Sequence, residues 1–181
     1  MPTFANDFTE ILQVLSANAD LRAAVEALAM HEAMPGKVTE GGDRLSRFRS
    51  ILRDLITGNI NLQNAYERTE NELPRANSSY ASDNRVFATG WGERLVRTQL
   101  SRCYNQAVME FLVTQGHTQC FVPHSTAEDS TTSCSQQLAG ANHDIKTLHD
   151  LLVKSYRDGV WTKDVKIPNH PHCTHTVIPA K

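Results

Sequence analysis

The chain has 181 residues, a net charge of −2, 40% hydrophobic residues and 7% aromatic residues. That size suits one domain, or a helical arm plus a small domain. The balanced charge excludes a strongly basic nucleic-acid binder, and no stretch approaches the roughly 18 apolar residues of a membrane span.

In chain order, Phe8, Ile11, Leu12 and Leu15 recur at helical spacing. Leu21, Val25 and Leu28 do the same, with Asp20 as the expected N-cap and Pro35-Gly36 as the stop. Asp43 is expected to open a third helix through Leu45, Phe48, Leu52, Leu55 and Ile56, which Gly58 ends. Asn59 is the expected cap of a fourth helix through Leu62, Ala65, Tyr66 and Leu73, terminated by Pro74. The polar segment 75–84 reads as a linker. The strongest helix runs from Glu93 to Gln115, with Val96, Leu100, Tyr104, Ala107, Val108 and Phe111 among its apolar stripe and Gly116 after its end.

Past that helix the pattern changes. Gln119 to Val122 reads as a short strand, Thr126 to Ser133 as a polar turn, and Leu148, Leu151, Leu152 and Tyr156 as a further helix stopped at Asp158-Gly159. Val160 to Ile167 reads as extended, and the tail is too proline-rich for a helix. The expected fold is therefore α+β and mostly α-helical: a helical region over residues 1–84, then a compact domain over 85–181. The first residues lack a basic and an apolar segment, so no secretory signal is expected and production in a cytoplasm is. There the four cysteines stay reduced and serve as core residues or metal ligands.

The chemistry-bearing tract is His170-Pro171-His172-Cys173-Thr174-His175, three imidazoles and a thiol in six residues. Zinc prefers nitrogen and sulfur donors in a tetrahedron, and its charge holds a cysteine deprotonated. Pro171 stiffens the loop and reduces the entropy lost on binding. One short tract rarely offers four well-placed ligands, so a remote donor is needed. Cys134 is the expected one, giving Cys134, His170, Cys173 and His175 around one structural zinc, with Cys120 and His124 as spare candidates. The plainer reading is exposed histidines and an ordinary buried cysteine. Serine-hydrolase elbow, phosphate-binding loop and zinc-protease motifs are absent. Glu128-Asp129 reads as a solvated turn, and the stripe holding Tyr104 and Phe111 as core.

Three blocks of this sequence, at residues 97–107, 129–140 and 170–179, taken together resemble the head-morphogenesis domain of tailed-phage minor head proteins, the Mu F-like family. Arg97-Thr98-Gln-Leu-Ser-Arg102-Cys-Tyr104-Asn105-Gln-Ala107 is similar to its opening helix. Asp129-Ser-Thr-Thr132-Ser-Cys134-Ser-Gln-Gln-Leu138-Ala-Gly140 is similar to its turn, one residue shorter than the usual pattern. His170-Pro171-His172-Cys173-Thr174-His175, then Val177-Ile178-Pro179, is similar to its ending. His175 stands where the family has a last cysteine and Thr174 where it has an arginine; the exchange at 175 keeps a zinc-compatible donor. The likeness spans roughly residues 93–179; it does not extend to residues 1–92.

The resemblance implies a non-enzymatic virion protein, assembled in a host cytoplasm, whose expected partners are the portal and/or the major capsid protein, with packaged DNA as a further candidate and no membrane. Tyr104 is expected to pack inward, Asn105 to hydrogen-bond a neighbouring loop and position the turn, and Arg97 to pair with a carboxylate such as Asp129. Two other classes stay open. A metal-dependent nuclease of the His-Asn-His type would use Asp164, Asn169, His170 and His175. A zinc-stapled DNA-binding regulator would present Arg44, Arg47, Arg49 and Arg53 to phosphates.

Overall fold

A computed structural model describes residues 4–160 and 162–180. Four helices come first: α1 (Ile11–Ala17), α2 (Ala19–His31), α3 (Arg44–Ile56) and α4 (Leu62–Glu72). The long α5 (Trp91–Thr114) follows. The remainder holds β1 (Gln119–Val122), α6 (Ser133–Gln137), β2 (Ala141–Asp144), α7 (Ile145–Leu152) and β3 (Ile178–Pro179). The three strands form one antiparallel sheet in the order β2-β1-β3. The fold is α+β and mostly helical, as the periodicity predicts. Among the described residues, no helix is long and apolar enough to cross a membrane.

Local capping explains where the helices start. Asn18, not Asp20, caps α2 by accepting from the Leu21 N–H, which leaves Asp20 in the first turn, where its charge suits the helix dipole. Asn61 caps α4 through the Asn64 N–H. Asn59 is unavailable for that role because its N–H closes the end of α3 on the Asp54 carbonyl. Asp43 stands at the start of α3, but its carboxylate pairs with Arg47 at 2.6 Å instead of capping. The segment expected to be extended, 160–167, contains no strand among its described residues, and β2 and β3 appear where none was expected.

The apolar core is continuous across residue 84. One cluster joins Phe8, Ile11, Val25, Phe48 and Ile51 of the N-terminal helices to Leu100, Tyr104, Val122, Cys134 and Val177. α5 is its axis, packed by α2 and α4 on one side and α7 on another. Polar ties reinforce the joint. The Ala5 N–H donates to the Tyr104 hydroxyl at 2.8 Å, the Phe8 N–H to the Thr174 carbonyl at 2.8 Å, and the Thr176 hydroxyl to the Ala5 carbonyl at 2.6 Å. The N-terminal segment thus braces the tail that bears the Cys/His tract.

The arginines of α3 do not form a solvent-facing stripe. Arg44 is buried and donates to the carbonyls of Val38, Leu73 and Pro74, closing the end of α4. Arg49 donates to the Glu32 carbonyl. Only Arg47 and Arg53 lie on the exposed surface, and Arg47 is paired with Asp43. This placement leaves little basic surface for the phosphates that the DNA-binding reading requires.

Candidate metal centre

Three segments bring the cluster together. Cys134 sits in the first turn of α6, whose start is fixed by the Thr132 hydroxyl accepting from the Ser135 N–H. Cys173 and His175 lie in the extended tail leading into β3. Cys134, Cys173 and His175 are each about 99–98% hidden from solvent, and their ligand atoms all lie within 4.8 Å of one another. The Cys173 sulfur is 3.6 Å from His175 Nδ1. His170 is half-buried and brings its Nε2 to 3.4 Å from the Cys134 sulfur. The three buried residues form a group that could hold a metal ion; His170 touches Cys134 but stands outside the set whose ligand atoms all lie within 4.8 Å of one another.

The electrostatics favour one thiolate. Cys134 is held well below the usual thiol range, first by the Cys173 S–H beside it, with His170 and His175 adding to the effect against burial. Cys173 moves the opposite way, because the Cys134 thiolate and burial both hold its proton in place. The other two cysteines are different. Burial pushes Cys103 and Cys120 each up to about 11, so both are neutral core thiols. All four cysteines are free.

Glu128 completes the arrangement, and sequence reasoning took it for a solvated turn. Its Oε2 lies 2.9 Å from His175 Nε2, while Oε1 lies 2.7 Å from His124 Nδ1. The Ser125 N–H also donates to it at 3.2 Å. Burial pulls Glu128 upward, but His175 and His124 outweigh it and hold the carboxyl below its ordinary value. For His175 burial pulls the pKa down, yet Cys134 and Glu128 raise it overall. A carboxylate on one ring nitrogen fixes the imidazole's tautomer and turns the other nitrogen toward a metal. Nδ1 of His175 is the nitrogen so presented.

No family model, curated protein or solved structure matches this chain. The site therefore has to be read from its own geometry.

The other predicted residues fall around this centre in distinct places. Tyr104 is fully buried in α5. Asn105, also fully buried, reaches the tail rather than the 126–133 turn: its Oδ1 accepts from the Val177 N–H at 2.9 Å. Arg97 is not matched to Asp129. Its guanidinium lies over the Phe8 ring, 4.3 Å from the centroid. Asp129 is satisfied locally, accepting from the Thr131 N–H and hydroxyl at 2.9 and 2.6 Å. A short-range Asx turn outcompetes a distant partner for that carboxylate. Gly140 takes φ +76°, and its N–H closes on the Val122 carbonyl at 2.7 Å. A Cβ there would sit 2.5 Å from His124 Nε2. Thr98 lies on the wall of another cavity, which His170 also lines.

The spare candidates Cys120 and His124 do not join the donors: Cys120 faces the His143 carbonyl, and His124 serves Glu128. Nor do the residues of the nuclease reading assemble an open cation site. Asn169 Oδ1 accepts from the Lys166 N–H, Asp164 is exposed, and His175 is buried against the thiols. A cavity of about 230 Å³, lined by Thr132, Cys134, His170 and His175 among others, provides a path to the cluster.

Proposed function

We propose that this chain is a non-enzymatic assembly protein of a tailed-phage virion, a minor head protein that docks on the portal or the major capsid protein, and that a structural zinc clamps its C-terminal half. The observation that carries this reading is the meeting of three blocks far apart in sequence. The helix block is tied to the tail block by Asn105 and Val177, and the turn block meets the tail at Cys134, Cys173 and His175. These are the blocks that resemble the Mu F-like domain, and their convergence supports a shared architecture.

The donor set fits zinc. With zinc–sulfur near 2.3 Å and zinc–nitrogen near 2.05 Å, a regular tetrahedron has sulfur–nitrogen edges of about 3.6 Å. Two of the four such edges, Cys134–His170 and Cys173–His175, are 3.4 and 3.6 Å. Cys134, Cys173, His175 through Nδ1, and His170 through Nε2 would hold the ion, with Glu128 orienting His175 from behind. Bound there, zinc would supply cross-linking between the turn and the tail. Two sulfurs and two imidazoles leave no coordination position for substrate, which favours a structural role over hydrolysis.

Assembly is tested with tagged protein expressed during infection. It is expected in procapsids and virions, together with portal or capsid protein; its absence from both particles defeats the reading. The orienting role of Glu128 has its own expected result. Glu128→Gln keeps the shape but weakens the hold on the His175 ring, and zinc affinity should fall by about 10–100-fold. Competition with a chromophoric chelator measures it, and an unchanged affinity removes Glu128 from the site.

A further inference from the structure

A second cavity, of about 510 Å³, lies among α5, the loop at Pro35-Gly36, the tail at Asn169-His170 and the segment after α7. Its size is within the range of small-ligand sites. Its walls are rich in hydrogen-bond donors. Ser155 is 2% exposed, lines the cavity, and its hydroxyl meets no partner among the described residues. Buried hydroxyls are normally satisfied, so such a group calls for an explanation.

The backbone at this point is also unusual. Residues Val153–Arg157 form one wide π turn at the end of α7. The Asp158 N–H reaches back five residues to the Val153 carbonyl at 3.1 Å. Single π turns inside or after α-helices recur at functional sites, because the extra residue re-aims a side chain. Ser155 lies within this turn.

Charge lies behind the wall. Arg102 is fully buried in α5, and its Nη1 donates to Gln99 Oε1 at 2.9 Å. With its oxygen so engaged, Gln99 keeps its amide N–H donors for the cavity that it lines. Arg102 Nε and Nη2 have no hydrogen-bond partner among the described residues, and the nearest carboxylate, Glu32, is 3.8 Å away. The same Glu32 backbone carbonyl is bonded by Arg49, whose Nε is also unpartnered. Arg102 thus places a guanidinium with unpartnered nitrogens behind Gln99, a residue of the cavity wall, with the Glu32 carboxylate 3.8 Å from it.

We infer that this cavity binds a small oxyanion, a carboxylate or phosphate group held by the Ser155 hydroxyl, the Gln99 amide and the Thr98 hydroxyl in the field of Arg102. Each of these side chains donates, and a buried positive charge acts strongly through the low-dielectric core. The four residues of this site are none of the proposed zinc ligands, although His170 lines both cavities.

Calorimetric titration of the whole protein at low ionic strength tests it, with inorganic phosphate and citrate as separate probes and chloride at matched ionic strength as control. Phosphate or citrate is expected to bind once per chain, and the stronger of the two identifies the anion class. Ser155→Ala should weaken that binding about tenfold or more, the loss of one hydrogen bond to a charged group. The same variant should melt no lower than the parent, since it removes a hydroxyl that the fold leaves unpaired. Thr98→Val, at a half-buried position, should weaken binding as well and gives a second readout that does not depend on the folding of the serine variant. The inference is overturned if neither anion binds beyond the chloride control, or if both variants bind as tightly as the parent.

Discussion

Stripping zinc from the purified protein with a chelator is expected to lower its melting temperature by about 8–16 °C. A site filled at a thousandfold excess over its Kd contributes about 4 kcal/mol, and each kcal/mol moves Tm by roughly 2–4 °C in a chain of this size. Re-adding zinc should restore the melt. Cys173→Ser should reproduce the loss without any chelator, because a serine hydroxyl does not supply the soft donor that the site needs. Cys120→Ala provides the contrast: that thiol is a neutral core group outside the cluster, so its loss leaves zinc content at one per chain. Mass spectrometry under native conditions counts the ion. Protein that carries no zinc, takes none up, and melts the same with and without chelator would eliminate the clamp.

The direction of the acid effect follows from the same donors. Zinc binds thiolates and neutral imidazoles, so acid competes with the metal and promotes release. Glu128 adds to this. Its folded pKa lies below the ordinary carboxylate value, so its contribution is complete above that value and is lost as pH falls through the depressed one. The clamp is thus a feature of neutral and mildly basic conditions. The tail, despite its prolines and lack of helix, is buried at Cys173, His175, Thr176 and Val177, where Ala5, Phe8 and Asn105 bond its backbone and side chains.

Parts of this architecture were legible in the sequence for definable reasons. The periodic stripe of α5 and the Gln119–Val122 strand announced themselves through apolar spacing, and the structure places both within two residues of expectation. β2 was not legible. Its residues Ala141–Asp144 are nearly all exposed and carry no alternating apolar face; they are a strand only because β1 offers them backbone partners. β3 is two residues long and contains a proline, which no propensity argument would select. The meeting of Cys134, Cys173 and His175 was legible because their chemistry is written in residue type; His170, expected with them, lies outside that group. Glu128 was not, because its role depends on a histidine 47 positions away. Arg97 misled for the opposite reason: an arginine and an aspartate invite pairing on paper, yet each found a nearer partner, Phe8 and Thr131.

Asn105→Leu should cost about 2–4 kcal/mol of stability, seen as a fall in the denaturation midpoint with an unchanged slope. Asn105 is fully buried, and both ends of its amide are in use. Oδ1 accepts from the Val177 N–H at 2.9 Å; Nδ2 donates to the Ser101 carbonyl at 2.9 Å and lies 3.2 Å from the Ser101 hydroxyl. Leucine fills the volume but strands the Val177 N–H, and an unpaired buried donor costs about 1–3 kcal/mol by itself. Nδ2 also lies 3.5 Å from the His175 carbonyl, so the amide braces the backbone of a proposed metal ligand. Loosening that brace should speed zinc transfer to a chelator as well as lower stability. Asn105→Asp separates the two ends: it keeps an acceptor for Val177 but turns a charge toward the Ser101 and His175 carbonyls, and should be at least as damaging. If Asn105→Leu unfolds within about 0.5 kcal/mol of the parent and releases zinc at the parental rate, α5 is not what holds the tail in register, and the ion must be aligned by the turn and tail alone.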